Sequence, residues 1–126
     1  MRNRWANSAR KSLPAWAKAF DVAIIPYRLT RQVVHSAPLK LREYLASGKP
    51  IVAVSTPEID CFADCVRIAR TPDDFLREIE EALAHDSPAD RARRIEATRG
   101  MTWEDRMREV TIVVEEALQR NASRGR

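Results

Sequence analysis

Residues 35–54, HSAPLKLREYLASGKPIVAV, decide the fold of this chain. They predict a loop, a helix over Pro38–Ser47 and then a buried strand at residues 51–54. Proline suits a first helical position because its fixed φ fits the helix and its missing N–H would have no partner there. Gly48 suits the left-handed position just past a helix end, and Pro50 prevents the helix from resuming.

Two further apolar runs flank this unit, at residues 22–25 and 66–69. The first is uninterrupted, which predicts a strand covered on both faces. A strand, a loop, a helix and a strand in this order imply parallel strands joined by a right-handed crossover. A short helix over residues 13–20 precedes them. We therefore expect an α/β fold with a Rossmann-like parallel sheet flanked by helices. Three strands are few for such a sheet.

The sequence from Thr71 onward predicts three helices. Thr71-Pro72-Asp73-Asp74 combines a hydroxyl cap, a proline and two acids, so it begins a helix that ends near His85. An arginine-rich and mostly exposed helix follows at residues 88–98. The last helix begins at Thr102 and Trp103, and we expect the chain from Asn121 onward to be disordered. Residues expected on the apolar faces or in the core are Trp16, Phe75, Leu76, Ile79, Ala82, Leu83, Trp103, Met107, Val110, Val113, Val114, Ala117 and Leu118.

Charge and composition bound the function classes. At 126 residues, 44% of them hydrophobic, the chain is one domain at most. The basic excess is confined to a start (residues 1–12) and a tail (120–126), whereas the domain between them (13–119) carries 15 basic and 18 acidic residues. We therefore expect no nucleic-acid partner. No run reaches the ~18–20 apolar residues of a membrane span, and the start lacks a signal sequence.

The start of the helix at Pro38 predicts an anion site. Free backbone N–H groups and the positive end of the helix dipole lie there, beside the C-terminal end of the preceding strand. Glu43, one turn further along, could accept hydrogen bonds from the hydroxyls of a molecule that carries the anion. A phosphate beside a diol indicates a nucleotide. The alternative for Glu43 is an ion pair with Lys40, which lies three residues earlier on the same face of the predicted helix.

The segment PLKLREYLASGKPIV (residues 38–52) resembles the donor-site segment of the group 1 type of GT-B glycosyltransferases. FDVAIIPY (20–27) resembles the strand before it, VRIA (66–69) the segment after it, and WEDR (103–106) the start of the closing helix. The resemblance implies the C-terminal part of a GT-B fold, incomplete here. It implies transfer of a sugar from a nucleotide diphosphate to an acceptor hydroxyl, with an N-terminal acceptor-binding domain missing from this chain. We expect this chain alone to be inactive.

The resemblance assigns the ribose hydroxyls of the donor to Glu43. The diphosphate would face the helix start formed by Ala37, Pro38, Leu39 and Lys40. For the Lys40 side chain two alternatives stay open, a charge-assisted contact with the phosphate and no contact with it. Further candidate donor contacts are His35, Ser36, Arg28 and Arg31, although loop residues of these types are commonly just exposed. The leaving group would be stabilised by the helix dipole and basic side chains, so no metal and no cofactor are expected. Cys61 and Cys65 are too few to form a zinc site.

One departure from the family pattern bears on catalysis. Many relatives carry two glutamates, and the first would stand at position 35, where this sequence has His35. The catalytic residues therefore stay unknown, as do the acceptor and whether the reaction retains or inverts configuration. The alternative function is a non-catalytic nucleotide-binding or interaction module derived from the same fold. A third interpretation is an epimerase-like nucleotide-binding domain, but this would need catalytic acids that the sequence does not show. The expected location is the cytoplasm, with peripheral association at the inner face of the membrane as an open alternative.

Overall fold

The computed structural model describes residue 15 and residues 17–124. Within these residues the chain forms three strands, β1 (Ala23–Ile25), β2 (Ile51–Val54) and β3 (Arg67–Ala69). The labelled helices are α1 (Arg31–Val34), α2 (Leu39–Ser47), α3 (Pro57–Asp60), α4 (Pro72–His85), α5 (Pro88–Glu96) and α6 (Trp103–Arg124). Residues 17–19 are also helical. Residues 1–12 and Trp16 lie outside the described residues, and so do the predictions made for them.

The strands form one parallel sheet in the order β1-β2-β3. Ile24 is paired with Val52 in the register of the first two strands, and Ala53 with Ile68 in that of the second two. Since parallel neighbours need a crossover, each connection carries a helix, as in all α/β folds. The prediction of an α/β fold with a parallel sheet flanked by helices is confirmed.

The two faces of the sheet are covered unequally. On one face, α2 buries Leu41 and Leu45 against Ile25, Ile51 and Ala53, and this cluster is the main core. On the other face, α4 packs mainly on β2 and β3. Ile24 on that face is consequently 44% exposed, although its register partner Val52 is fully buried. The expectation that the first strand is covered on both faces was wrong for β1.

The boundaries of α2 follow its sequence signals closely. Gly48 adopts φ 71° at the C-terminal cap and its N–H donates to the carbonyl of Leu45. This left-handed conformation is one that glycine adopts without a steric penalty. Pro38 takes the N-cap position instead of the first helical position, so the helix begins at Leu39.

Two short helices lie in the connections between the strands. Helix α1 lies between β1 and α2, and α3 lies between β2 and β3. Each helix is capped by a threonine whose hydroxyl accepts from a backbone N–H three residues later, Thr30 from Val33 and Thr56 from Ile59. Such side-chain capping satisfies helix-end donors that would otherwise have no partner.

Helices α4 and α5 begin as predicted but pack differently. Thr71 and Ser87 cap them, with Pro72 and Pro88 in the first turn. In α4, Ala82 is buried whereas Leu76 and Leu83 stay exposed. The expectation of a mostly exposed α5 did not anticipate Arg94. Its side chain is buried and binds Gly48, the C-cap of α2, and Asp86, the C-cap of α4.

Helix α6 is the least packed part of the described chain. It has at most isolated contacts with the other elements, and none of residues 103–123 is buried. Trp103 is 81% exposed, so its assignment to the core was wrong. The helix also continues through residues 121–124, which were expected to be disordered. Its apolar residues open to solvent are Trp103, Met107, Val110, Ile112, Val113, Val114 and Leu118.

Candidate functional site

The N-terminal end of α2 lies after β1, at the edge of the sheet where open α/β folds bind their ligands. The N-cap Pro38 has no side-chain hydrogen bond to the helix, and the carbonyl of Pro38 accepts only from the N–H of Leu41. Leu39 is 74% exposed. Among the described residues, the first backbone N–H groups of α2, those of Leu39 and Lys40, have no hydrogen-bond partner. This arrangement leaves them free to bind an anion.

Glu43 stands one turn further along the same helix. It is four residues after Leu39 and exposed, so both residues share one face and are separated by ~6 Å along the axis. Side chains in a helix lean toward its N-terminus, which directs the carboxylate of Glu43 toward the uncapped end. Glu43 and Lys40 form none of the ion pairs found among the described residues. The alternative of a surface ion pair with Lys40 is therefore not realised.

A cavity of about 770 Å³ opens on the other side of Glu43. It lies between α2, α5 and the segment before β1. Its apolar wall comprises Ala17, Phe20, Tyr44, Ala46 and Ile95, and its polar residues are Lys18, Glu43, Ser47, Lys49 and Arg91. Phe20 and Tyr44 meet edge to face with ring centroids 5.8 Å apart, which fixes the aromatic part of the wall.

The cavity and the helix start occupy opposite ends of α2. Residues 37–40 do not line the cavity, whereas Lys49 and Phe20 precede β2 and β1 and place it toward the N-terminal ends of the strands. Glu43 is the sole predicted site residue shared by both places. The geometry favours the helix start for the predicted diphosphate, because only that end of α2 offers free N–H groups.

The remaining predicted residues lie in and around α1. Arg28 and Arg31 are exposed, Arg31 being the first residue of α1, and neither forms an ion pair within the described residues. His35 caps the C-terminal end of α1 and is exposed. The hydroxyl of Ser36 donates to the carbonyl of Val33 at 3.0 Å, so it already has a structural partner. These four residues lie in the segment of sequence that connects β1 to α2.

The packing behind α2 fixes its position. The Nε of Arg94 donates to the carbonyl of Gly48 at 3.1 Å, and its Nη2 donates to both carboxylate oxygens of Asp86 at 2.7 and 2.8 Å. Arg91 lies against the same glycine: a Cβ on Gly48 would be 2.8 Å from the Cγ of Arg91. Two arginines of α5 thus hold the end of the helix that carries the candidate site.

The cysteines and acids elsewhere show no second reactive centre in the described chain. Burial raises the pKa of the Cys65 thiol, an effect that Arg94 partly offsets, so this thiol is kept protonated. Asp60 accepts hydrogen bonds from the Ser55 hydroxyl at 2.9 and 3.0 Å. No group of three His, Cys, Asp or Glu side chains within the described residues is arranged to hold a metal ion.

Sequence reasoning missed the cavity cations Lys18, Lys49 and Arg91. They are distant in sequence and come together only when α5 packs on α2. The sequence carried one indirect indication of the cavity. A glycine at position 48 leaves room for a close neighbour, but the sequence does not indicate that this neighbour is Arg91. None of the helices in the described part of the chain has the length and apolar character needed to cross a membrane.

Comparison with known proteins identifies a partial relative. The chain is 38% identical over 47 residues to the "Putative teichuronic acid biosynthesis glycosyltransferase TuaH" of Bacillus subtilis (strain 168). The match covers 37% of this chain and 12% of the length of that relative. Neither a protein-family model nor a solved structure matches the chain. Part of this chain is therefore similar to a protein named as a glycosyltransferase, which is the class of protein that the sequence resemblance indicates.

Proposed function

We propose that this chain supplies the part of a group 1 GT-B glycosyltransferase that binds the nucleotide-sugar donor. The observation that carries the proposal is the pairing of an uncapped helix start with a carboxylate one turn away on the exposed side of α2. The N–H groups of Leu39 and Lys40 bind the diphosphate, and Glu43 accepts hydrogen bonds from the ribose hydroxyls. The similarity to a glycosyltransferase of Bacillus subtilis supports the same assignment.

Charge around the helix start supports binding without a metal. Lys40 lies on the first turn, and Arg28 and Arg31 precede it on the connection from β1. Cationic side chains and the helix dipole together offset the charge of a diphosphate leaving group. Binding of a nucleoside diphosphate is therefore expected to persist in EDTA.

We further propose that the complete enzyme includes an N-terminal acceptor-binding domain supplied outside these residues. The apolar side of α6 and the exposed Ile24 on β1 are surfaces that such a domain would cover. The matched segment spans only 12% of the relative, which is consistent with a larger enzyme. Sugar transfer would then require that domain, and the 126-residue chain alone would bind donor without turning it over.

Titration of the full chain with UDP, GDP and ADP tests donor binding, with amide chemical shifts as the readout. One of the three should perturb Leu39, Lys40 and Glu43 in a saturable way. Glu43→Gln should weaken that ligand about tenfold, since it removes charge-assisted hydrogen bonds while keeping the side-chain shape. Glu80→Gln, on α4 at the other face of the sheet, is the matched control and should leave affinity unchanged.

Two outcomes would refute the donor proposal. The first is the absence of saturable shifts with any nucleoside diphosphate, and the second is equal affinity of Glu43→Gln and the parent chain. The position of His35 favours a second candidate, a nucleotide-binding module that performs no transfer, because the family's first glutamate is absent there. That candidate predicts the same nucleotide binding, but no transfer even when an acceptor-binding domain is added.

A further inference from the structure

The cavity beside Glu43 has an excess of positive charge. Three cations, Lys18, Lys49 and Arg91, line it together with one carboxylate, Glu43. Within the described residues, none of the three cations forms an ion pair. The described part of the wall thus carries two more positive than negative charges. Like charges lining a concave surface raise the local potential and attract a counter-ion.

Arg91 differs from its neighbours in α5 and the turn after it. Arg93, Arg94 and Arg99 are paired with Asp90, Asp86 and Glu96 at 2.6, 2.7 and 3.0 Å. Arg91 lines the cavity instead, and its stem is placed there by contact with Gly48. A surface helix rich in arginine usually satisfies these charges with nearby acids. The exception on this helix coincides with the cavity.

The rest of the wall is apolar and partly aromatic. Phe20 and Tyr44 meet edge to face, and Ile95 lies opposite on α5. A volume of about 770 Å³ is within the ~300–1,000 Å³ of small-molecule sites. An apolar wall with a few charged groups is the usual composition of such sites, since the apolar part contributes affinity and the charges fix orientation.

We propose that this cavity binds an organic phosphate monoester with an aromatic or alkyl body. A phosphate monoester carries about −1.5 to −2 charges at neutral pH, which matches the excess charge of the walls better than a single carboxylate. The phosphate contacts Lys18, Lys49 and Arg91, and the body packs on Phe20, Tyr44 and Ile95. This site lies at the opposite end of α2 from the proposed diphosphate site and shares only Glu43 with it.

The test is titration of the full chain with 1-naphthyl phosphate, followed by amide chemical shifts. Saturable shifts are expected at Tyr44, Lys49 and Arg91, and 1-naphthoate should bind several-fold more weakly. Lys49→Met and Arg91→Met keep an unbranched stem while removing the charge, and each should weaken 1-naphthyl phosphate about tenfold. Arg99→Met, the matched control beyond α5, should not change the affinity.

Glu43→Gln separates this proposal from the donor proposal. It should strengthen binding of 1-naphthyl phosphate, because a like charge leaves the cavity wall, and weaken binding of the nucleoside diphosphate. The proposal is overturned if 1-naphthyl phosphate gives no saturable shifts, if Lys49→Met and Arg91→Met bind it as the parent does, or if it competes completely with the nucleotide. The first two outcomes leave the nucleotide titration unchanged, so the two proposals can fail independently.

Discussion

Replacing Arg94 by alanine should destabilise the domain more than any substitution of its other arginines in the described chain. The Arg94 side chain is almost fully buried and makes three hydrogen bonds, one of which reaches across 46 residues of sequence. One joins α5 to the carbonyl of Gly48 at the end of α2, and two join it to the Asp86 carboxylate. The alanine variant loses all three and leaves the carbonyl of Gly48, a buried residue, without its side-chain partner.

The magnitude follows from the burial of each partner. A buried hydrogen bond from a charged donor contributes about 1.5–3 kcal/mol, which applies to the bond with Gly48. The pair with Asp86 adds about 1 kcal/mol, because the Asp86 carboxylate is partly exposed and water can replace the guanidinium. We therefore expect the free energy of unfolding to fall by about 3 kcal/mol. For a chain of this size the melting temperature should fall by roughly 10 °C.

Urea unfolding followed by circular dichroism measures this effect. Arg93→Ala is the matched control: Arg93 is one residue away on α5, its side chain is exposed, and its ion pair with Asp90 should contribute little to stability. A double-mutant cycle of Arg94→Ala with Asp86→Ala isolates the ion pair. If Arg94→Ala and Arg93→Ala unfold at the same urea concentration, the hydrogen bond to Gly48 does not hold α5 on α2.

Two further predictions concern the same region. Gly48→Ala and Gly100→Ala both place a side chain at positive φ, 71° and 78°, but only at Gly48 would the new Cβ meet a neighbour, 2.8 Å from the Cγ of Arg91. Both should lose ~1–2 kcal/mol of stability in urea unfolding, with the larger loss at Gly48, and an equal loss would show that Arg91 moves aside freely. A hydrogen bond from the Ser87 hydroxyl and the nearby Arg93 lower the pKa of Asp90, so its stabilisation is present above its ordinary pKa and is lost as the pH falls through the lowered value. Asp90→Asn should therefore flatten the loss of stability in acid, and an unchanged pH profile would contradict this.

Local signals in the sequence predict the helix boundaries well. Gly48 ends α2 because only its side-chain-free backbone adopts the required φ at no cost, and Thr71 with Pro72 begins α4. These signals act within four residues of the boundary they define, so they are readable without knowledge of the fold. The same holds for β2, whose unbroken apolar run is buried on both faces.

Features that depend on distant residues were not predictable from the sequence. Ile24 has the same local pattern as Val52, yet Ile24 is exposed and Val52 is buried, because α4 packs mainly on β2 and β3. In the sequence, Arg94 cannot be distinguished from the other arginines of a polar helix. Its hydrogen bond to Gly48 exists only because α5 packs on α2. The cavity escaped prediction for the same reason, since Lys18, Lys49 and Arg91 come from three separate segments.

The candidate site combines one feature that the local sequence predicts with another that depends on distant residues. The relation of Leu39 to Glu43 is local, because four residues on a helix always share one face, and the sequence therefore predicts it. What Glu43 contacts is not local: Lys40, the alternative partner, forms no ion pair with it, and Glu43 lines a cavity whose other charged lining residues in the described chain are cations. A carboxylate without an ion-pair partner, placed between free N–H groups and three cations, can bind a hydroxyl or repel an anion. The opposite responses of the two ligands to Glu43→Gln follow from this position, and no surface ion pair would produce them.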